Sequence, residues 1–338
     1  MQARPDPALH ASGNTEGPAH GRAFGCPAAR HTLGVTVDST DIGPAVSSPA
    51  SRARPHPALT EADVARLREL ARRVRRHALL AVHRAGSGHL GGPLSVAEIL
   101  VVLYFHELQI DPARPAWPDR DRLVFSKGHA ATALYATLAE RGYFPLEELA
   151  TFDEIDSRLQ AHPDMTALPG LDMSTGSLGQ GLSVGVGMAL AARLLGADWR
   201  TYVVLGDGET QEGQVWEASF VAARYGLDNL CAILDWNGLQ QYGWRRPGGA
   251  PGERLSPIDN PVGRWEAIGW QAIAVDGHDP AALAAALGTA RATSGRPTIL
   301  VARTVKGRGV SFMEGDYRWH AKPLTDDDLR RALEELGG

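Results

Sequence analysis

Two short polar turns, each directly after an apolar run, contain side chains that could share a metal ion. Asp207 follows the run Thr201–Leu205, and Asn237 follows the run Leu230–Leu234. Residues just past the carboxyl ends of strands line the ligand crevice of an open α/β sheet. A carboxylate and an amide oxygen, with a main-chain oxygen such as that of Leu239, suit Mg²⁺ and leave room for diphosphate oxygens and water. The spacing therefore predicts a magnesium–diphosphate site.

A purely structural interpretation of these two turns is also open. Asp207 could cap a tight strand-to-helix turn, and Asn237 with Gly238 could form an unrelated turn. The position of both after strands favours the ligand site, as does a predicted helix beginning near Glu212. Main-chain N–H groups at a helix N-terminus attract phosphate oxygens.

A segment rich in glycine and serine, Ser174–Gly181, leads into a predicted helix. Glycine lets the backbone approach a ligand where a side chain would clash, so this segment could form a cradle for a cofactor. The alternative is a flexible loop that binds nothing.

Four histidines lie in loops beside glycine or proline. A single loop histidine is ordinarily solvated or locally hydrogen-bonded, but four in this context suggest a shared role. Imidazole can donate to sugar hydroxyls and diphosphate and can move protons near neutral pH. No two are four residues apart and no cysteine joins them, so a zinc site is not expected. The four are His89, His129, His162 and His320, whereas His83, His106 and His278 lack this context and are interpreted as structural.

Three further charged residues each allow two interpretations. Glu212 and Glu217 follow the metal turn on a predicted helix, either on a solvated face or as buried carboxylates at a subunit interface; the residues alone favour the solvated face. Lys306 lies in a basic loop, Val305–Gly309, that could reach a phosphate or remain exposed.

The elements that must position these residues alternate between helix and strand patterns. This alternation predicts an α/β fold of three layers (αβα), with a mostly parallel sheet covered on both faces. Strands are predicted at residues 122–125, 201–205, 230–234, 271–275 and 297–302. Helices are predicted from residue 60 onward and at 95–107, 130–141, 177–195, 212–225, 260–268, 279–293 and 326–336.

Local signals support two of the helix starts and raise a question about a third helix. Thr60–Asp63 and Ser95–Glu98 have the pattern of capping boxes. The helix predicted at 177–195 contains glycines at 179, 181, 185 and 187, which lower its helix propensity. We interpret them as points where the backbone or a neighbouring helix approaches closely.

The overall composition is that of an ordinary globular protein. The 338 residues are 43% hydrophobic and 22% charged, and the net charge of −5 gives no reason to expect nucleic acid or anionic membrane as a partner. Cys26 and Cys231 lie in very different settings, so a disulfide is not expected and a reducing cytoplasm fits. The longest apolar run, Ile99–Phe105, is too short to span a bilayer.

The first 57 residues differ from the rest of the chain. They are rich in Pro, Ala, Arg, Gly and Ser and have no periodic apolar pattern, which predicts a disordered arm. A misplaced start codon or a targeting peptide are the alternatives. The folded domain is expected to occupy residues 58–338.

Taken together and in order, eight segments resemble the N-terminal section of a split transketolase. The resemblance covers about residues 60–326 and leaves the first 57 residues outside it. The segments are Ser87–His89, Ser126–Ala130, Leu159–Pro163, Ser174–Gly181, Gly206–Gly213, Asp235–Gln240, Val275–Asp279 and Thr304–Glu314.

The resemblance implies a thiamine diphosphate-binding domain of the PP type, with roles for its residues. Mg²⁺ would be held by Asp207, Asn237 and the main-chain oxygen of Leu239. Cofactor contacts would come from Gly176, Ser177, Leu178, His129 and Gly208.

The same resemblance implies catalytic roles for the histidines. His89 and His320 would lie near the diphosphate and the reacting carbons, where they bond substrate hydroxyls and shuttle protons. His162 would face the first hydroxyl of the ketose donor, and His129 would act beside the cofactor. Glu212 and Glu217 would belong to a chain of acids that crosses the subunit interface.

The resemblance also implies that the active site needs a second polypeptide. In this family the glutamate that acts on the aminopyrimidine ring lies on a pyrimidine-binding domain, for which the chain has no room. We therefore expect it to be inactive alone. With a partner, the transketolase C-terminal section, it would form an α₂β₂ assembly that transfers a two-carbon ketol unit from a ketose phosphate to an aldose phosphate.

Three other functions fit part of the sequence. The α subunit of a 2-oxo acid dehydrogenase has a similar metal motif, but a 2-oxo acid offers no sugar hydroxyls to His89, His129 and His162. A deoxyxylulose-phosphate synthase is nearer in motif but normally has all its domains on one chain. A regulatory subunit that binds the cofactor without catalysis would be expected to have lost such groups.

Overall fold

The computed structural model describes residues 56–250 and 253–337. Residues 1–55 of the predicted arm, which include Cys26, therefore lie outside the described residues. The boundary near residue 58 stays a prediction, and the first described helix begins at Glu61.

Five strands in the described part of the chain form one parallel sheet. They are β1 (Arg122–Phe125), β2 (Thr201–Gly206), β3 (Leu230–Trp236), β4 (Gln271–Asp276) and β5 (Thr298–Arg303). Their order across the sheet is β1-β2-β3-β5-β4, and every pairing is parallel. The predicted α/β class is confirmed, and each predicted strand lies within two residues of its observed bounds.

The described residues form eight α-helices. They are α1 (Glu61–Ala85), α2 (Gly91–Val102), α3 (Ala131–Arg141), α4 (Gly181–Leu195), α5 (Gly213–Arg224), α6 (Pro261–Ile268), α7 (Pro280–Ala292) and α8 (Asp326–Glu335). A π-helical turn, Leu103–Glu107, extends α2. None of these described helices has the length and apolarity that a membrane crossing needs.

The three layers follow from the alternation of buried side chains along the strands. In β2, Tyr202 and Val204 belong to one core cluster, with residues of α1, α2, α3 and α7, whereas Val203 and Leu205 belong to a second cluster with residues of α4 and α5. Both faces of the sheet are therefore buried, as expected for parallel strands.

The first predicted capping box is confirmed and the second is wrong. Thr60 caps α1: its Oγ1 accepts from the N–H of Asp63, whose carboxylate accepts from the N–H of Thr60. Ser95 instead lies inside α2, where its hydroxyl donates to Asp235 Oδ2 at 2.6 Å. Glu98 forms a buried ion pair with Arg75. Both polar side chains are thus satisfied by tertiary contacts, so neither caps the helix.

Helix α4 begins at Gly181, four residues later than predicted. Gly179 has a φ of +84° in the loop before it, a conformation that a helix does not contain. The close approach expected of the glycines holds at three positions: an added Cβ would overlap Glu212 from Gly179, Ser126 from Gly181 and Val203 from Gly185. It does not hold for Gly187, where a Cβ would meet nothing within 4 Å among the described atoms.

Candidate functional site

The carboxyl ends of β2 and β3 place the two predicted metal-binding turns side by side. Gly206 and Asp235 are paired in register, so Asp207 leaves its strand beside the start of the Asn237 turn. Asp207 Oδ2 accepts from the N–H of Gly238 at 2.6 Å, and Asn237 Oδ1 accepts from the N–H of Leu239 at 3.1 Å. The structure therefore brings the three predicted ligands of a metal together.

The surroundings of Asp207 suit a cation. Burial, together with the charge of Asp235, raises the pKa of Asp207 to about 7. A divalent ion would favour the ionised carboxylate. Among the described residues no group of three or more His, Cys, Asp or Glu could hold a metal. The available ligands are one carboxylate, one amide and a main-chain oxygen, a set of hard oxygens that Mg²⁺ prefers.

A cavity of about 310 Å³ opens beside these turns. This volume is within the range of small-molecule sites. Eight of the residues singled out in the sequence for site roles line it: His89, His129, Leu178, Asp207, Gly208, Asn237, Leu239 and His320.

The four loop histidines gather at this cavity although they come from four separate loops. The ring centroids of His89 and His129 are 4.9 Å apart, those of His129 and His162 are 4.8 Å apart, and those of His89 and His320 are 5.1 Å apart. His162 lies behind His129 rather than in the cavity lining. The predicted grouping of these side chains is thus present, and their roles stay predictions.

Burial keeps three of these imidazoles neutral at pH 7. It lowers the pKa of His89 to about 4, with help from the neighbouring His129, and that of His320 to about 3, with help from Lys306. The pKa of His129 is also lowered, chiefly by burial. Nδ1 of His129 and Nε2 of His162 are buried without a hydrogen-bond partner in the described structure. These unpaired atoms, together with the cavity, fit a polar ligand.

Glycines let the predicted cradle pack against the segment that contains His129. A Cβ on Gly128 would lie 2.6 Å from the nitrogen of Gly176, and one on Gly176, whose φ is +136°, would lie 2.8 Å from His162 Cδ2. Leu178 reaches the cavity, whereas Ser177 is exposed and outside its lining. Glycine is required at both positions because a side chain on residue 128 would push the two segments apart, and one on residue 176 would displace His162.

Glu212 and Glu217 lie outside the cavity lining. Both are exposed in this chain, as their residue types alone suggested. Glu212 packs beside Gly179, at which an added Cβ would lie 2.5 Å from Glu212 Cβ. Exposed apolar side chains accompany them on α5, where Phe220 is 60% exposed.

Lys306 is buried at the cavity, which decides between its two interpretations. Its side chain lines the cavity, and its Nζ lies 3.1 Å from Nδ1 of His320. Burial lowers its pKa to about 8. Its loop is held by His278, whose Nε2 accepts from the N–H of Val305 at 2.8 Å and whose Nδ1 lies 2.9 Å from Glu98. The structural interpretation of His278 agrees with these contacts.

Two charged residues at the cavity, Lys127 in its lining and Asp235 beside it, were not singled out from the sequence. Lys127 and Asp235 form a buried ion pair, and the hydroxyls of Ser95 and Thr304 donate to the same carboxylate. The sequence did offer one signal, because Asp235 ends an apolar run and a buried charge needs a partner. The identity of that partner, 108 residues away, was not readable from spacing.

Comparison with known proteins agrees with this geometry. Residues 67–338 match the family model described as transketolase, thiamine diphosphate binding domain. The chain is 41% identical over 263 residues to the 6-deoxy-6-sulfo-D-fructose transketolase subunit SqwG of Clostridium sp. (strain MSTE9), covering 78% of this chain and 93% of that protein. It is 40% identical over 255 residues to one subunit of the apulose-4-phosphate transketolase of Phocaeicola vulgatus, covering 75% of this chain and 88% of that protein.

Solved structures give the same result. The transketolase of Campylobacter jejuni superposes with a TM-score of 0.72 at 36% identity, and that of Leishmania mexicana with a TM-score of 0.74 at 31% identity. Each comparison covers 80% of this chain, but only 42% and 41%, respectively, of the other. The chain thus spans about two fifths of these transketolases and most of the two proteins named before them. It belongs to the transketolase family, as an enzyme subunit of the split type that contains the N-terminal, thiamine diphosphate-binding domain.

Proposed function

We propose that this chain binds thiamine diphosphate with Mg²⁺ and, with a partner chain, transfers a two-carbon ketol unit from a ketose phosphate to an aldose phosphate. The main support is the convergence of Asp207, the turn Asn237–Leu239 and the histidine cluster on one cavity. Sugar hydroxyls explain this number of clustered imidazoles, whereas a 2-oxo acid would leave them without partners.

The residues at the strand ends fit the metal and the diphosphate. In this proposal Asp207, the amide oxygen of Asn237 and the main-chain oxygen of Leu239 hold Mg²⁺. Gly208, which lines the cavity directly after Asp207, would contact the diphosphate. Gly176, Ser177 and Leu178 form the cradle against which the cofactor lies. When bound, the cofactor supplies a ring that stabilises a carbanion.

The histidines then orient the substrate and move its protons. A neutral imidazole has one N–H donor and one acceptor, so it can bond a hydroxyl in either sense. His89 and His320 would contact substrate hydroxyls near the reacting carbons, and His162 the first hydroxyl of the donor. His129 would contact both the cofactor and its neighbouring imidazoles. Exclusion of water by these packed rings would keep the transferred unit from being lost to solvent.

A partner chain is part of the proposal. The two relatives from Clostridium and Phocaeicola are subunits by name. On this chain, Leu194 and Leu195 at the end of α4 and Phe220 on α5 are more than half exposed, and the exposed Glu217 lies three residues before Phe220 on the same helix. Such an apolar patch beside carboxylates suits an interface that buries both. We propose that the patch and the two acids meet another chain of an α₂β₂ assembly, and that the partner supplies the activating glutamate.

We also propose a cytoplasmic location. The described cysteine, Cys231, is a free, buried thiol. A reducing compartment suits such a residue, and sugar phosphates are intracellular metabolites in this proposed reaction.

The direct test of the metal assignment is the variant Asp207→Ala. Loss of the carboxylate should weaken Mg²⁺-dependent binding of thiamine diphosphate by at least about 100-fold, because the neutral amide and main-chain oxygens alone hold Mg²⁺ poorly. Isothermal titration of the assembled protein with the cofactor, with and without Mg²⁺, measures this change. Asp198→Ala, at the opposite end of β2, is the matched control. An unchanged affinity in Asp207→Ala would refute the assignment.

The activity itself is tested by mixing the chain with its partner. Ketol transfer should be absent with either chain alone and should appear on mixing, with a ketose phosphate as donor and an aldose phosphate as acceptor. Robust turnover by this chain alone would contradict the need for a partner. Reduction of a lipoyl group without ketol transfer would indicate a 2-oxo acid dehydrogenase instead.

A further inference from the structure

A second buried carboxylate, Glu209, lies two residues after Asp207 and joins three separate segments. It is 2% exposed. Its Oε1 accepts from the N–H of Gly179 at 3.0 Å and from the hydroxyl of Ser126, and its Oε2 accepts from the N–H of Gly206 at 3.0 Å. One side chain therefore connects the loop before α4, the end of β1 and the end of β2.

Each of these segments presents a residue of the proposed site. Gly206 immediately precedes Asp207, and Ser126 precedes the turn that contains His129. Gly179 follows the cradle residue Leu178. The positions of the metal ligand, the histidine and the cradle are thus fixed relative to one carboxylate, which lies at the wall of the cavity.

Only an acceptor can occupy this position. The three groups that point at Glu209 are two N–H donors and one O–H donor, and a carboxylate has enough lone pairs for all three. No lysine or arginine in the described ranges forms an ion pair with it, so the three hydrogen bonds, with the more distant charge of Lys127, stabilise the carboxylate. A glutamine here would turn an N–H group toward donors.

The three segments are also closely packed. A Cβ on Gly181 would overlap the hydroxyl of Ser126, and one on Gly128 would lie 2.6 Å from the nitrogen of Gly176. Backbone at this separation has no room for a bridging water. Backbone pairing already joins the ends of β1 and β2, so the bonds to Glu209 matter most for the loop before α4, which they connect to both strand ends.

We propose that Glu209 is a positioning residue that holds the metal turn, the cradle and the His129 segment in the arrangement that binds the cofactor. It acts through Gly206, Gly179 and Ser126. The expected effect on cofactor binding rests on the proposed function, whereas the structural coupling of the three segments can be measured without any ligand.

The test compares Glu209→Gln with Glu107→Gln. Glu107 is likewise buried and accepts from Tyr202, near the start of β2, besides pairing with Arg291, so its replacement costs stability far from the cavity. Hydrogen exchange of the full chain should become at least about 10-fold faster at the Gly179 amide in Glu209→Gln and should not change there in Glu107→Gln. Ser126→Ala, which deletes one of the three bonds, replaces Glu209→Gln if that variant does not fold.

The second readout is cofactor affinity in the complex with the partner chain. Glu209→Gln should bind thiamine diphosphate with Mg²⁺ at least about 10-fold more weakly, with kcat at saturating cofactor within about threefold of wild type. The inference would be overturned if Glu209→Gln kept the wild-type exchange rate at Gly179. It would also be overturned if Glu209→Gln kept the wild-type cofactor affinity while losing as much thermal stability as Glu107→Gln. A wild-type complex that binds no cofactor would instead overturn the proposed function, and the exchange result would still decide the coupling.

Discussion

At the scale of single residues, burial sets the protonation of the site. His89, His129 and His320 are buried beside other basic groups, so a proton on any of these three would meet both desolvation and like charge. The neutral state that results is the one that can accept as well as donate. Burial also disfavours the charged form of Asp207, so its carboxylate is stable as an anion only beside a cation. Burial thus favours uncharged imidazoles at His89, His129 and His320, and the proposed cation would favour the ionised carboxylate of Asp207.

The histidines make the stability of the chain depend on pH. An unfolded histidine binds a proton below about pH 6.5, whereas folded His89 does so only near pH 4. Since the unfolded state binds more protons in this window, stability is full above pH 6.5 and is lost as the pH falls toward 4. Urea unfolding at about pH 7 and about pH 5 measures this loss, which should be smaller in His89→Asn. Ser87→Ala, in the same loop, should keep the wild-type loss, and an equal loss in His89→Asn would contradict the prediction.

At the scale of elements, glycine decides how closely α4 approaches the sheet. Gly185 faces Val203 of β2, and the second core cluster closes around this contact. The helix gives up intrinsic stability at each glycine, about 0.5–1 kcal/mol relative to alanine. At Gly185 the close packing of α4 on β2 compensates for this loss of helix propensity. At Gly187 no contact within the described chain requires the glycine.

This difference predicts opposite effects of one substitution at two neighbouring positions. Gly185→Ala should lower the free energy of unfolding by about 1–3 kcal/mol, because its Cβ must push α4 away from β2. Gly187→Ala should raise it by about 0.5–1 kcal/mol through helix propensity alone. Denaturant unfolding of the purified chain measures both. Equal effects of the two variants would show that the packing of α4 on β2 is not the deciding contact.

At the scale of the whole molecule, one face of the sheet is covered by helices that expose apolar side chains. Leu195 is 73% exposed on α4 and Phe220 is 60% exposed on α5. On the opposite side, α1 is capped at both ends, and its buried face packs against α2 and α3. The asymmetry agrees with a chain that binds another subunit through α4 and α5.

A substitution on each side tests this asymmetry. Phe220→Ser should weaken association with the partner chain by at least about 10-fold, because a desolvated aromatic side chain near the centre of an interface contributes about 2 kcal/mol or more. Sedimentation velocity of mixed chains measures the association. Leu80 is a partly exposed residue of α1, and Leu80→Ser should leave the association with the partner chain unchanged. Equal behaviour of the two variants would move the interface elsewhere.

The sequence alone determined the strand positions, the parallel α/β class, the turn that contains Asp207 and the grouping of the four loop histidines by context. These features depend on local pattern: strand length, glycine and proline at turns, and residues just past strand ends. Such signals lie within about ten residues of each other, so no knowledge of the fold is needed to read them.

The tertiary structure alone decided which charges are buried and what satisfies them. Ser95 and Glu98 matched a capping box, yet their partners are Asp235 and Arg75, which are distant in sequence. Lys306 could equally have been exposed until the fold placed it against His320. A polar group in a protein interior must find a partner, and that partner is chosen by distance in space. Since spacing along the chain does not give that distance, the neutral histidines, the buried lysine and the role of Glu209 became visible only in the folded chain.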